Sequence, residues 1–204
     1  MKRRSRPARR YESPLRARQA AQTRRSILEA LVEQVGRVRP GEYSLAEVAQ
    51  RAGVSLRTLY RHFGSREALA AALGEVLAER AIPPLPDTPE GLAAYPGALF
   101  AVFDAHAPWV EAMLKVGGAH EVRAAGKPRR IAAFRACLGP LLDGLPEEEA
   151  RGAMAVIKQL ISAEAWRAMR NDFGMDGPAA GSAVGWAVKT LLADLRRSRE
   201  RSCK

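Results

Sequence analysis

Tyr43 to Leu69 reads YSLAEVAQRAGVSLRTLYRHFGSREAL, and its capping, glycine and apolar positions describe two short helices joined by a tight turn. In the first helix Leu45, Val48, Ala49 and Ala52 recur at i, i+3, i+4 and i+7 on one apolar face. Ser44 stands before them, and Glu47 follows three residues later as a capping box requires. Gly53 can take the left-handed backbone that closes a helix, Val54 can fold into the crevice, and Ser55 can cap a new start. The turn is then about four residues long, the length a helix-turn-helix needs. The second helix carries the donors Arg57, Thr58, Tyr60, Arg61 and His62, with Leu59 and Phe63 available to face inward, and no acid lies between Ser55 and Ser65. A short, donor-rich helix without carboxylates, set at an angle by a glycine turn, suits the major groove of DNA.

These residues resemble the DNA-binding region of the tetracycline-repressor-type (TetR) family, in which an AGVS turn leads to a recognition helix ending in Tyr-x-His-Phe. Here the turn is Ala52-Gly53-Val54-Ser55 and the helix ends in Tyr60-Arg61-His62-Phe63. The match continues through Gly64-Ser65-Arg66-Glu67-Ala68-Leu69, where Arg66 stands at a position the family commonly fills with lysine, so the positive charge is kept. Upstream, Thr23-Arg24-Arg25-Ser26-Ile27-Leu28 resembles the family's first helix. The resemblance covers roughly residues 20 to 75 and rests on several features that agree in order and spacing.

The chain has 204 residues, 47% of them apolar, enough for one large domain or two modest ones around a packed core. Its net charge of +11 is concentrated at one end: Met1 to Arg25 holds ten Lys or Arg against the single acid Glu12. That segment accounts for +9, whereas residues 26 to 80 sum to zero. The basicity is therefore an N-terminal feature, which points to an arm meeting a polyanion. Cys137 and Cys203 are the only cysteines, too few for a disulfide framework or a metal cluster. The charged N-terminus is followed by no apolar run, so neither secretion nor membrane spanning is expected, and a reducing cytoplasm is the simple reading. No H-E-x-x-H, G-x-S-x-G or phosphate loop is present, neither cysteine has a catalytic signature, and no enzyme chemistry, cofactor or metal is assigned.

An all-α fold of about nine helices is predicted. Residues 1–13 are too charged to bury and contain Pro7, and read as a disordered basic arm. Residues 14–82 read as a helix-turn-helix domain: Ser13-Pro14 opens a first helix to about Val35, and Ser65 caps a fourth over about 66–81. Pro83-Pro84-Leu85-Pro86 marks a boundary near residue 82. From 83 to 204 the vocabulary stays helical, with no period-2 run that argues for strands. Expected helices are Gly91–His106 with a weak point at Pro96, Pro108–Val116, a turn over Ala119–Ala125, Pro128–Asp143, Glu147–Asn171 and Pro178–Arg197.

In the Glu147–Asn171 segment Met154, Ile157, Ile161 and Ala165 make one stripe, which Val156, Leu160 and Trp166 widen over much of the circumference. In the last helix Val184, Val188, Leu191 and Leu195 lie on one side and Trp186 on another, while Gly181, Ser182 and Gly185 permit close approach. Periodicity alone leaves two readings open: both helices lie central to a larger core, or one face of each meets a second copy. The resemblance implies the second, since such regulators typically dimerise through their last two helices. Ile157, Leu160, Ile161, Val184, Val188, Leu191 and Leu195 are then the expected dimer positions.

The expected DNA-facing residues are Ser44, Ser55, Leu56, Arg57, Thr58, Tyr60, His62 and Arg66, with Arg16 and Arg18 on the basic approach. Arg57 suits base readout, because arginine can bond guanine bidentately, while Ser55 and Leu56 suit weaker contacts to base edges or thymine methyls. The resemblance implies phosphate contacts for Thr58, Tyr60, His62 and Arg66. It also implies a small-molecule pocket in the second domain, for which Phe103, His106, Trp109, Met113, His120, Phe134 and Trp166 are candidates. Large apolar side chains at helical spacing are, however, core by default. The expected partners are double-stranded DNA, a second copy of the chain and a hydrophobic or aromatic effector, with repression as the family's usual mode. Two other readings remain: an architectural DNA-binding protein without sequence preference, and a regulator whose second domain binds a protein.

Overall fold

A computed structural model of the chain describes residues 14–39, 41–79, 82–116 and 119–202, with the side chains of 78, 79, 119–127 and 202 outside the description. The expected basic arm, residues 1–13, and the His120 side chain lie outside the described residues. Ten helices follow one another and no strand occurs among the described residues: α1 Pro14–Arg37, α2 Leu45–Arg51, α3 Leu56–Phe63, α4 Arg66–Glu79, α5 Pro89–Ala105, α6 Ala107–Lys115, α7 Ala119–Leu142, α8 Glu147–Leu160, α9 Ala163–Phe173 and α10 Gly177–Ser202. Among them no helix is long and apolar enough to cross a membrane.

Several boundaries differ from the sequence reading, among them the end of α10, which runs to Ser202 and not to Arg197. Helix α1 runs through Gly36 to Arg37. Helix α7 is continuous across Pro128, where a break was expected; a proline removes one helical hydrogen bond and bends a helix, but packing on both sides can carry the helix through it. The Glu147–Asn171 segment, expected as one helix, is two, α8 and α9. Ser162 turns to an extended backbone and its hydroxyl accepts the Ala165 N–H at 3.1 Å, so it serves as the N-cap of α9. That break swings Trp166 fully into the core.

Two apolar clusters form the interior. The first gathers Ile27, Leu28, Leu31 and Val35 of α1, Val48 of α2, Leu59 and Phe63 of α3, and Leu69 and Leu73 of α4. The second gathers Leu92, Phe100 and Phe103 of α5, Val110 of α6, Phe134 and Leu138 of α7, Ile157 of α8, Trp166 of α9, and Val184 and Val188 of α10. Two helices belong to both: α6 sends Ala112 and Val116 into the first cluster, and α4 sends Leu77 into the second. Trp109 packs against both.

Within the second cluster α5 and α10 meet most closely. Gly177, Gly181 and Gly185 repeat every four residues down one stripe of α10, and a Cβ at each would lie 2.4 Å from the Phe100 carbonyl oxygen, 2.6 Å from Gly97 Cα and 2.6 Å from the Ala93 carbonyl oxygen. The backbones therefore touch with no side chain between them, and the glycines read from sequence as permitting close approach serve α5 of the same chain. Asp104 pins the end of this seam: its carboxylate accepts the Gly177 N–H and, at 2.8 Å, the Trp166 indole N–H, with the Arg170 guanidinium 3.8 Å away.

Gly181→Ala is expected to destabilise the fold by about 1–3 kcal/mol, since the new methyl meets backbone that cannot move aside. Gly152, exposed in α8 with nothing within 4 Å of an added Cβ, gives the opposite sign: Gly152→Ala is expected to stabilise by roughly 0.5–1 kcal/mol through helix propensity. Thermal unfolding of the two variants beside the wild type checks both.

Candidate nucleic-acid interface

Helix α3 has only eight residues, too few to persist alone, so its geometry is imposed by what holds it. At its start, Gly53 adopts φ +68°. Val54 N–H reaches the Ala49 carbonyl at 2.9 Å and Gly53 N–H the Gln50 carbonyl at 3.1 Å, the paired bonds of a Schellman close to α2. Ser55 follows in an extended conformation and its hydroxyl accepts the Thr58 N–H at 3.1 Å. At its end Gly64 adopts φ +74°, and Ser65 caps α4 by accepting the Ala68 N–H at 3.1 Å. Leu59 and Phe63 anchor the inner side at 0% and 6% exposure, which turns Leu56, Arg57, Tyr60 and Arg61 outward.

Two arginines that flank α3 in space hold it further. Arg24 of α1 donates to the His62 carbonyl at 3.3 Å, lies 4.5 Å from the centre of the Phe63 ring, and pairs with Glu75 of α4 at 3.4 Å. It thus covers the C-terminal end of α3, where a cation is favourable to the exposed carbonyls. Its role was not read from sequence, because His62 lies 38 residues away. Arg66 donates to the Gly41 and Tyr43 carbonyls and lies over the Tyr43 ring. Its side chain is directed at the α1–α2 loop, where the sequence reading had it at a phosphate.

The other expected DNA-facing residues divide by exposure. Ser55, Leu56, Arg57 and Tyr60 are exposed, whereas Thr58 and His62 are half-buried beside them. Thr58 also exchanges a hydrogen bond with the Ser55 hydroxyl at 2.9 Å. Ser44 is half-buried and caps α2 through the Glu47 N–H at 3.4 Å. The reciprocal half of the expected capping box is absent: the Glu47 carboxylate instead accepts from Gln34, a buried amide of α1. Arg16 and Arg18 are exposed on α1, roughly 9–12 Å along its axis from Arg24 at 1.5 Å per residue. Burial, followed by the neighbouring Arg61 and Arg24 charges, holds the His62 imidazole below its ordinary range, so it is neutral in the free protein at pH 7.

Residues 27–73, from the middle of α1 to the last turn but one of α4, match the family model described as bacterial regulatory proteins, tetR family. Those residues therefore carry a TetR-type DNA-binding region. The whole fold of the chain is similar to solved TetR-family structures. A regulator from Streptomyces coelicolor superposes with a TM-score of 0.59 at 18% identity, covering 89% of this chain and 85% of that one. A regulator from a Rhodococcus species gives 0.50 at 25% identity, covering 85% and 98%. NalD of Pseudomonas aeruginosa, described as the secondary repressor of the MexAB-OprM multidrug efflux pump, gives 0.51 at 18% identity, covering 84% and 96%. No curated protein matches the chain. With the family match on its helix-turn-helix, the protein is a DNA-binding transcriptional regulator with an all-helical fold.

The ligand and dimer candidates of this regulator fall into place differently. Phe103, Phe134 and Trp166 are buried, with Phe100 stacked on Phe103 at 5.9 Å and Trp166 edge-on to Phe103 at 5.7 Å. His106, Trp109 and Met113 are half-buried at the corner between α5 and α6. Of the positions expected to meet a second copy, Ile157, Ile161, Val184 and Val188 lie inside the chain's own core, and Leu160, Leu191 and Leu195 are half-buried against it. The large apolar side chains exposed on α8 and α10 are Val156 and Trp186, at 51% and 73%, and Phe173 at the end of α9 is 76% exposed.

A phosphate facing His62 would favour the imidazolium, so a complex with that contact would take up a proton there. DNA affinity is then expected to rise as pH falls, beginning at the pKa of the complex and complete below the lowered value of the free protein. His62→Gln flattens this dependence. Binding isotherms across pH 6 to 8 check it, and a wild-type profile identical to that of His62→Gln speaks against the contact.

Proposed function

We propose that two copies of this regulator bind a near-palindromic operator, each laying α3 in one of two successive major grooves roughly 34 Å apart, and that the bound dimer represses transcription. The observation that carries this reading is the outward face of α3: Leu56, Arg57, Tyr60 and Arg61 stand exposed on a helix fixed at both ends, with no acid between Ser55 and Ser65. Arg57 reads a base edge, Ser55 and Leu56 add weaker base contacts, and Thr58, Tyr60 and His62 meet phosphates. Arg16 and Arg18 extend the phosphate contacts along the basic approach. In function the chain divides near residue 82, with DNA contact before it and dimerisation and effector response after it.

A single α3 discriminates over too few base pairs to find one site among a genome of competitors, so a second copy is part of the reading. Val156 on α8 and Trp186 on α10 support it, because these two helices pack together and carry apolar side chains that their own core leaves exposed. The small exposed residues Ala179 and Ser182 lie on the same stripe of α10 as Trp186, leaving room for a facing helix. The effector is a small hydrophobic or aromatic molecule received at the α5–α6 corner by His106, Trp109 and Met113, with Phe103, Phe134 and Trp166 behind them. It acts by binding better to a state in which the two α3 helices no longer fit successive grooves.

Arg57→Ala is expected to cost about 1–3 kcal/mol of discrimination at one base position. A binding profile over all single-base variants of the selected site measures this, and a profile indistinguishable from wild type removes Arg57 from base readout. Trp186→Glu buries a charge at the proposed dimer surface and is expected to yield monomer in sedimentation velocity while the melting temperature stays near wild type. A Trp186→Glu protein that sediments as a dimer contradicts the assignment of that face.

A further inference from the structure

The loop between α1 and α2 is held from two directions. On one side the Gly41 N–H donates to the carbonyl of Lys115, the last residue of α6, at 3.2 Å. On the other, Arg66 donates from one guanidinium nitrogen to the Gly41 and Tyr43 carbonyls, each at 3.0 Å. The guanidinium carbon sits 3.9 Å from the centre of the Tyr43 ring, and Tyr43 is only 3% exposed. Tyr43 immediately precedes Ser44, the N-cap of α2, and Arg66 comes two residues after Gly64, which ends α3. One side chain therefore joins the end of the recognition helix, the start of α2 and the loop that touches α6.

The chemistry of the contact favours arginine. Its planar, weakly hydrated head can lie flat on an aromatic ring while its edge donates to two carbonyls, whereas a lysine ammonium has no plane to stack. With its edge and one face engaged in this way, the guanidinium is oriented by the protein before any DNA arrives. A salt-bridging surface arginine is free to follow a phosphate; this one would have to leave two carbonyls and a ring to do so.

We propose that Arg66 is a positioning residue, which fixes α3 against the α1–α2 loop and so ties the recognition helix to the end of α6, and that it is not a phosphate ligand. The proposal rests on reading α3 as the helix that meets DNA. It gives Arg66 a role that acts through Gly41 and Tyr43, and it makes the Gly41 amide the reporter of that role.

The test compares the full-length wild type with Arg66→Lys and Arg66→Met in two assays. The first is amide exchange at Gly41 without DNA; the second is affinity against salt for the duplex recovered by selection from a random pool. The proposal expects Gly41 to exchange about tenfold faster in both variants, as a locally released loop does. It also expects affinity to fall about tenfold, the effect of losing hydrogen bonds from a charged group, with the slope of log K against log salt unchanged. Unchanged exchange at Gly41 overturns the clamp. A slope reduced by about one in Arg66→Met, with Arg66→Lys binding like wild type, overturns it in favour of a phosphate contact. If Arg66→Met fails to fold, Arg66→Lys alone decides by the same two readouts. If selection recovers no preferred duplex, the reading of α3 fails, while exchange at Gly41 still decides whether Arg66 holds the loop.

Discussion

The constraint on which this structure depends is that an eight-residue helix must be presented with its polar face to the outside and its backbone immobile. Such a helix is unstable by itself in water, so its rigidity comes from elsewhere. Leu59 and Phe63 anchor the inner face, left-handed glycines at 53 and 64 fix the angles at which the chain arrives and leaves, and serines at 55 and 65 satisfy the amides those turns expose. Arg24 and Arg66 then brace the helix and its neighbouring loop from α1 and α4. Every one of these contacts lies behind or beside α3, which leaves Arg57 and Tyr60 exposed.

The same helices that brace α3 also form the joint with the rest of the molecule. Leu77 of α4 enters the second cluster and Ala112 and Val116 of α6 enter the first, so displacement of either helix moves both interiors. Close-packed interiors respond to such displacement by switching arrangement and not by gradual deformation. Against this, the α5–α10 seam is built to stay still: backbone meets backbone at three glycines, and Asp104 secures its end through Trp166 and Gly177. A rigid pair of helices beside a joint made of α4 and α6 is an arrangement in which a small change at the α5–α6 corner has a path to the recognition helix.

What could be read from the sequence follows the range of the interactions involved. The turn from Ala52 to Ser55, the inward Leu59 and Phe63 and the outward Arg57 were legible because caps, glycines and periodicity act within a few residues. The bracing by Arg24, the bonds of Asp104 and the direction of Arg66 were not, since their partners lie 38, 62 and 25 residues away. The second domain shows a subtler limit. Periodicity marked Val184 and Val188 on one side of α10 and Trp186 on another, but two apolar faces carry no label for which is inward. The glycine stripe decided it by drawing α5 against the valine side. Similarly, Ser162 is a good N-cap in sequence, yet it sits inside an unbroken apolar pattern that masked the end of α8.

The measurement that bears most directly on this account is selection of bound duplexes from a random pool, followed by determination of how many protomers occupy the recovered site. Sequence-specific reading by paired α3 helices predicts an inverted repeat with half-sites about 10 base pairs apart, two protomers per site, and binding at least a thousandfold tighter than to random DNA, the lower end for specific regulators. A recovered pool without a repeat, bound no more tightly than random sequence, would show instead that the basic chain coats DNA without reading it.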